Sequence, residues 1–180
     1  MAKIRVASDW MEACAGCHMS LLDIDERILT LLEHVELHAM PITDFKHPPE
    51  EGVEVGILTG AVGNTHQKEV AERMRERCQI LIALGDCATF GGICTMLNFF
   101  DNEEALRRGY IETESTVDGK IPRSEELAKP LDKVLAVDEV VQVDVHVPGC
   151  PPSADAIWLA LTELLEGRLP ELKGEILTYD

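Results

Sequence analysis

The chain is short of positive charge, of long apolar runs and of repeats, and each shortage narrows what it can be. Sixteen Lys and Arg stand against thirty-three Asp and Glu, a formal net charge of -17 over 180 residues. Such an acidic body repels phosphate backbones and anionic lipid, so neither nucleic acid nor a membrane surface is expected as a partner. No stretch approaches the roughly twenty apolar residues that span a bilayer. The opening "MAKIRVASDW" has neither the apolar core of a signal peptide nor a twin-arginine pair, which makes a cytoplasmic location the expectation. No internal repeat or low-complexity tract is visible.

What is present is a chain 46 % hydrophobic, long enough for one sizeable core and short for two, so residues 1–180 read as a single domain. Strand and helix signals alternate along it. Strands are expected at Lys3 to Ser8, His34 to Met40, Val53 to Leu58, Gln79 to Leu84 and Val141 to Val147. Helices are expected from Met19 to Glu33, from Thr65 to Arg77, and from about Ser153 to Glu166, the last stopped by Gly167 and Pro170. This rhythm implies an α/β fold, a doubly wound parallel sheet of about five strands with helices on both faces, flavodoxin-like in its order 2-1-3-4-5. Residues from about 95 to 133 break the rhythm and read as an insertion on one rim. "TGAVGN" reads as a loop, too loose in pattern to define a phosphate or flavin site, and a flavin stays open.

Six cysteines in a reducing compartment are more naturally thiols, metal ligands or redox groups than disulfides. Cys14 and Cys17 fall after strand one in "EACAGCHMS", Cys87 after strand four in "GDCATFGG", and Cys150 after strand five in "VPGCPPS". All four therefore belong to the carboxyl ends of strands, where open parallel sheets gather ligands. One close pair followed by two widely spaced single cysteines suits an iron-sulfur cubane better than a lone zinc, whose small ribbon sites show two close pairs. A thioredoxin-like pair is the plainer reading of one CxxC, but it needs no distant thiols. Cys78 and Cys94 read as small apolar side chains, although Cys94 lies close to Cys87 in the same loop and its role stays open. His18 is expected to act as a donor beside the thiols or as an interface residue, and His66 and His146 as ordinary polar residues.

"ACAGC", "GDCATFGG" and "PGCPPS", in that order, resemble the cluster-binding motifs of nickel-iron hydrogenase small subunits. The resemblance spans nearly the whole chain. It implies a flavodoxin-like domain whose Cys14, Cys17, Cys87 and Cys150 hold one proximal 4Fe-4S cluster beside a hydrogenase large subunit carrying the nickel-iron centre. No catalytic acid, base or nucleophile is expected on this chain, and Glu12 is assigned no proton transfer. With no cysteine after Cys150, the chain resembles the short small subunits of cytoplasmic, NAD-reducing hydrogenases. Their diaphorase subunits carry flavin (FMN) and further iron-sulfur clusters and reduce NAD. The alternatives are a cluster-bearing subunit of a complex I-like quinone oxidoreductase, which typically has two adjacent cysteines in the first motif, and a cytoplasmic hydrogenase with another acceptor. A zinc-stabilised interaction protein is the non-enzymatic rival.

Overall fold

The computed structural model describes residues 3–44 and 46–177. The chain opens with β1 (Ile4–Trp10), α1 (Gly16–Leu22), α2 (Arg27–His34), β2 (Val35–Ala39), β3 (Val53–Thr59) and β4 (Val62–Asn64). It continues through α3 (Thr65–Arg77), β5 (Cys78–Leu84) and α4 (Asp86–Phe90), then a 3-10 helix at Gly92–Phe99, α5 (Asn102–Tyr110) and β6 (Pro130–Leu135). It ends with a short 3-10 turn at Val137–Glu139, β7 (Val145–Val147), α6 (Ala154–Leu165) and a last 3-10 turn at Gly174–Leu177.

Five strands form one sheet in the order β2-β1-β3-β5-β7, every neighbouring pair parallel. Numbered within the sheet, this is the expected 2-1-3-4-5. Successive residues of β5 face opposite ways, so Ile82 and Leu84 enter one core while Leu81 and Ala83 enter the other. The first core includes Leu21, Leu31 and Ile157 of α1, α2 and α6. The second holds Val70, Ala71 and Met74 of α3, with Cys78 buried among them as the apolar reading expects. A strand buried on both faces is a near-continuous apolar run, which is why "ILIAL" in β5 reads so plainly.

The helix expected from Met19 to Glu33 is two helices. It starts earlier, at Gly16, and breaks between Leu22 and Arg27, where Asp25 takes a left-handed φ of 55°. Fully buried Ile24 anchors the break in the core, and the Arg27 guanidinium donates to its carbonyl at 3.0 Å. The fifth sheet strand is shorter than expected, only Val145–Val147. Val141 and Val143 instead pack against the second core. Asp144 then fixes the entry to the strand by accepting from the Leu81 N–H at 2.8 Å and from Arg75 at 2.6 Å.

The stretch 95–133 adds no strand to the five-stranded sheet, but it is not featureless. It carries α5 and most of the 3-10 helix, and it delivers the first residues of β6, which pairs antiparallel with β4. β4 lies inside "TGAVGN", so half of that expected loop is a strand. Its last residue, Asn64, caps α3 by accepting from the Gln67 N–H at 3.0 Å, and the Gln67 side chain accepts in return from the Asn64 N–H.

Candidate metal centre

Three loops leave the carboxyl edge of the sheet and are tied to one another by backbone. After β1, Glu12 and Ala61 exchange two N–H···O bonds of 3.0 Å, fastening the chain ahead of Cys14 to the turn after β3. Ala15, at φ 67°, then turns the chain into α1, placing Cys17 in its first turn. After β5, the Gly85 N–H donates to Val147 at 2.7 Å and the Asp86 N–H to Gly149 at 2.8 Å. The Asp86 carboxylate accepts from the Gly149 N–H at 2.7 Å. Asp86 thus clamps the Cys87 loop to the Cys150 loop. The Ser20 hydroxyl of α1 donates to the Pro152 carbonyl and closes the ring of loops.

Inside that ring, Cys14, Cys17, Cys87 and Cys150 line a single cavity of about 70 Å³, with Gly16, Gly60, Gly149 and Pro151 completing its wall. Cys14 and Cys150 are exposed at its mouth, and Cys17 and Cys87 are half-buried. The wall is cut to the sulfurs: a Cβ on Gly85, whose φ is 89°, would stand 2.3 Å from Sγ of Cys17. Gly60 brings part of "TGAVGN" to the cavity. A larger cleft of about 920 Å³ lies between Asp9 and the start of α3, and none of the cysteines lines it.

Burial pushes the Cys17 thiol up to about 12, and the nearby Cys87, Cys14, Cys150 and Asp86 push it the same way. Cys150 is raised by burial, then by Cys87, Asp86 and Cys14. Thiolates crowded together beside a carboxylate repel one another and are stabilised by a cationic group among them; binding a metal there releases their protons. Among the described residues, no three His, Cys, Asp or Glu side chains close on one point as a single ion requires. The four sulfurs are spread around a volume instead. Soft thiolates from four cysteines are the donor set of an iron-sulfur cluster, and the residues fit such a group.

Two residues near the site behave differently from expectation. His18 neither faces the thiols nor reaches the surface: it is 1 % exposed. Its Nε2 lies 3.1 Å from the Ser8 hydroxyl and its Nδ1 3.3 Å from that of Thr59, so it pins α1 onto β1 and β3. Burial lowers its pKa and keeps the ring neutral. Cys94 is more than an apolar side chain. Its Sγ stands 3.9 Å from Sγ of Cys87 and 3.2 Å from the Glu12 carbonyl. Its place in the same loop as Cys87 hints at this, but the turn between them, whose shape the sequence does not fix, decides whether the two sulfurs meet. The Glu12 carboxyl is raised by burial. His146 pairs with Asp138 at 3.4 Å, and His66 lines the large cleft.

An apolar face adjoins the site. Phe90, Ile93, Met96, Phe99 and Phe100 are all more than half exposed, Phe99 at 83 %. Four of them lie on or beside the 3-10 helix that carries Cys94, none of whose residues is buried. Asn98 fastens that helix to β6 through two bonds with Val134, of 2.9 and 2.7 Å.

Residues 14–164 match the family model described as NADH ubiquinone oxidoreductase, 20 Kd subunit. The delta subunit of the NAD-reducing hydrogenase HoxS from Cupriavidus necator is 39 % identical over 181 residues, covering 99 % of this chain and 86 % of the relative. A subunit of the F420-non-reducing hydrogenase of Methanothermobacter thermautotrophicus is 35 % identical, covering 94 % of this chain; the chain spans 56 % of that relative's length. A chain from the crystal structure of an NAD+-reducing [NiFe]-hydrogenase in the H2-reduced state superposes with a TM-score of 0.94 at 37 % identity, covering 99 % of this chain and all of that one.

Proposed function

The chain belongs to the family of the 20 Kd subunit of NADH ubiquinone oxidoreductase and, within it, stands with hydrogenase small subunits; from that premise we propose that Cys14, Cys17, Cys87 and Cys150 hold one proximal 4Fe-4S cluster. The chain is then an electron-transfer subunit between the nickel-iron centre of a large subunit and a diaphorase module that carries FMN and clusters and reduces NAD. The observation that carries this reading is the convergence of four thiols from three loops on one cavity.

Once bound, the cluster supplies a one-electron store. The protein's own work is to hold the four thiolates and to keep their surroundings rigid. Asp86, the Glu12–Ala61 bridge and Ser20 fix the loops against one another. In this reading the apolar face from Phe90 to Phe100 is where the large subunit docks, because exposed apolar side chains gathered beside a redox site mark an interaction surface. No helix among the described residues is long and apolar enough to cross a membrane. A cytoplasmic location for the complex is part of the proposal.

The reading is tested on the natively purified complex. Iron and acid-labile sulfide are expected at about four each for this chain, from the stoichiometry of a four-thiolate cubane. Serine at Cys14, Cys17, Cys87 or Cys150 impairs the cluster, whereas serine at Cys78 leaves iron unchanged. Removing the diaphorase chains abolishes hydrogen-driven NAD reduction and spares reduction of an artificial dye. A wild-type cluster signal after loss of two of the four cysteines, or full NAD reduction by the two-subunit core, contradicts it. The relationship to F420-non-reducing hydrogenases favours one second reading, a different acceptor on the same cluster, and co-eluting chains without a diaphorase would select it.

A further inference from the structure

Cys94 owes its position to a reversal of the chain. Gly91 and Gly92, at φ 80° and 49°, are both left-handed and fold the 3-10 helix back over α4. A Cβ on Gly92 would meet the Cα, N and Sγ of Cys87 at 2.9 Å each, so the fold-back is as tight as backbone allows. It sets the Cys94 sulfur 3.9 Å from that of Cys87 and 3.2 Å from the Glu12 carbonyl. Cys94 is not among the residues lining the cavity.

We propose that Cys94 is a positioning residue for electron transfer, its S–H donating to the Cys87 thiolate when Cys87 carries the cluster and thereby raising the cluster's potential. The inference rests on the assignment of Cys87 as a ligand. A thiol has one hydrogen to give, and here two acceptors compete for it. The Glu12 carbonyl already accepts from the Ala61 N–H at 3.0 Å and does not depend on the thiol. A ligating thiolate bears charge, and hydrogen bonds to charged acceptors are the stronger ones. The proton therefore turns toward Cys87 on loading. A donor at a ligand sulfur withdraws negative charge from it, which favours the reduced cluster. The same thiol, touching the Cys87 sulfur and the backbone two residues before Cys14, also couples two of the three cluster loops.

The test is a redox titration of the assembled complex followed by electron paramagnetic resonance, on the wild type, Cys94→Ala and Cys94→Ser, with iron counted in each. Iron content is expected to be unchanged in both variants. The midpoint potential is expected to fall in Cys94→Ala and to return toward the wild-type value in Cys94→Ser, which keeps an O–H donor. An unchanged potential in Cys94→Ala overturns the inference and leaves the cluster assignment intact. Loss of iron in both variants overturns it by making Cys94 a ligand or a packing residue. A wild-type complex with no iron on this chain removes the cluster assignment itself, and this inference with it.

Discussion

Nε2 of His18 lies 3.1 Å from the hydroxyl of Ser8, and both residues are almost completely buried. The pair joins the helix that carries Cys17 to the strand that delivers Cys14, on the side of the ring away from solvent. Ser8→Ala leaves a buried ring nitrogen without its partner and is expected to cost about 1–3 kcal/mol of stability. The unfolding midpoint of the complex measures this, with iron content unchanged while the fold persists.

Gly85 separates β5 from the Cys87 loop with φ 89° and ψ 162°, a region open essentially to glycine. Gly85→Ala is expected to add about 1–3 kcal/mol of backbone strain and to drive its methyl into Sγ of Cys17. Its iron content falls. Gly167→Ala, at φ 75° with nothing within 4 Å of the new Cβ, bears strain without touching a thiol and retains iron. Equal iron in both variants would show that the close approach to Cys17 does not matter to loading.

Phe99 is the most exposed of the apolar residues beside the site. Phe99→Asp is expected to weaken association with the large subunit by about 2 kcal/mol, near thirtyfold in Kd, the scale of an interface hot spot. Val117→Asp, equally exposed but outside the patch, should leave association unchanged. Quantitative co-purification with the large subunit compares the two.

Glu54 and Arg5 bind at 2.7 Å across β3 and β1. The hydrogen bond from Arg5 lowers the Glu54 carboxyl from its ordinary 4.5 to about 2. Because the folded value lies below the unfolded one, the pair's contribution is fully present above about 4.5 and is lost as pH falls toward 2. Half-exposed pairs are screened, so the step is small. Glu54→Gln is expected to flatten the decline of the urea midpoint across that window and to leave neutral pH nearly unaffected.

The parts of this architecture legible in the sequence are those written in local chemistry. The charged run from Thr65 to Arg77 marks α3, apolar runs mark β3 and β5, and the three glycine-flanked cysteine motifs fall where parallel strands end. What escapes the sequence depends on contacts between distant residues. β4 is three residues long and exists because Val62 meets Leu135. The break at Ile24 follows from a buried side chain that a periodic pattern cannot distinguish from a helical one. His18 turns inward because Ser8 and Thr59 wait on two different strands. Cys94 reaches Cys87 only through the double glycine turn, which spacing does not encode.

The loops that ring the thiols come from β1, β5 and β7, and most of the chain lies between Cys17 and Cys150. Closing so long a span costs conformational entropy that must be met before the sulfurs gain anything by meeting. The parallel sheet, whose partners are themselves far apart in sequence, has to be in register first. On the proposed ligation, the scaffold would assemble with its thiols free, and iron and sulfide would enter where Cys14 and Cys150 are exposed. On that ligation, a partner that covered Cys14 and Cys150 before loading would leave the subunit without its cluster.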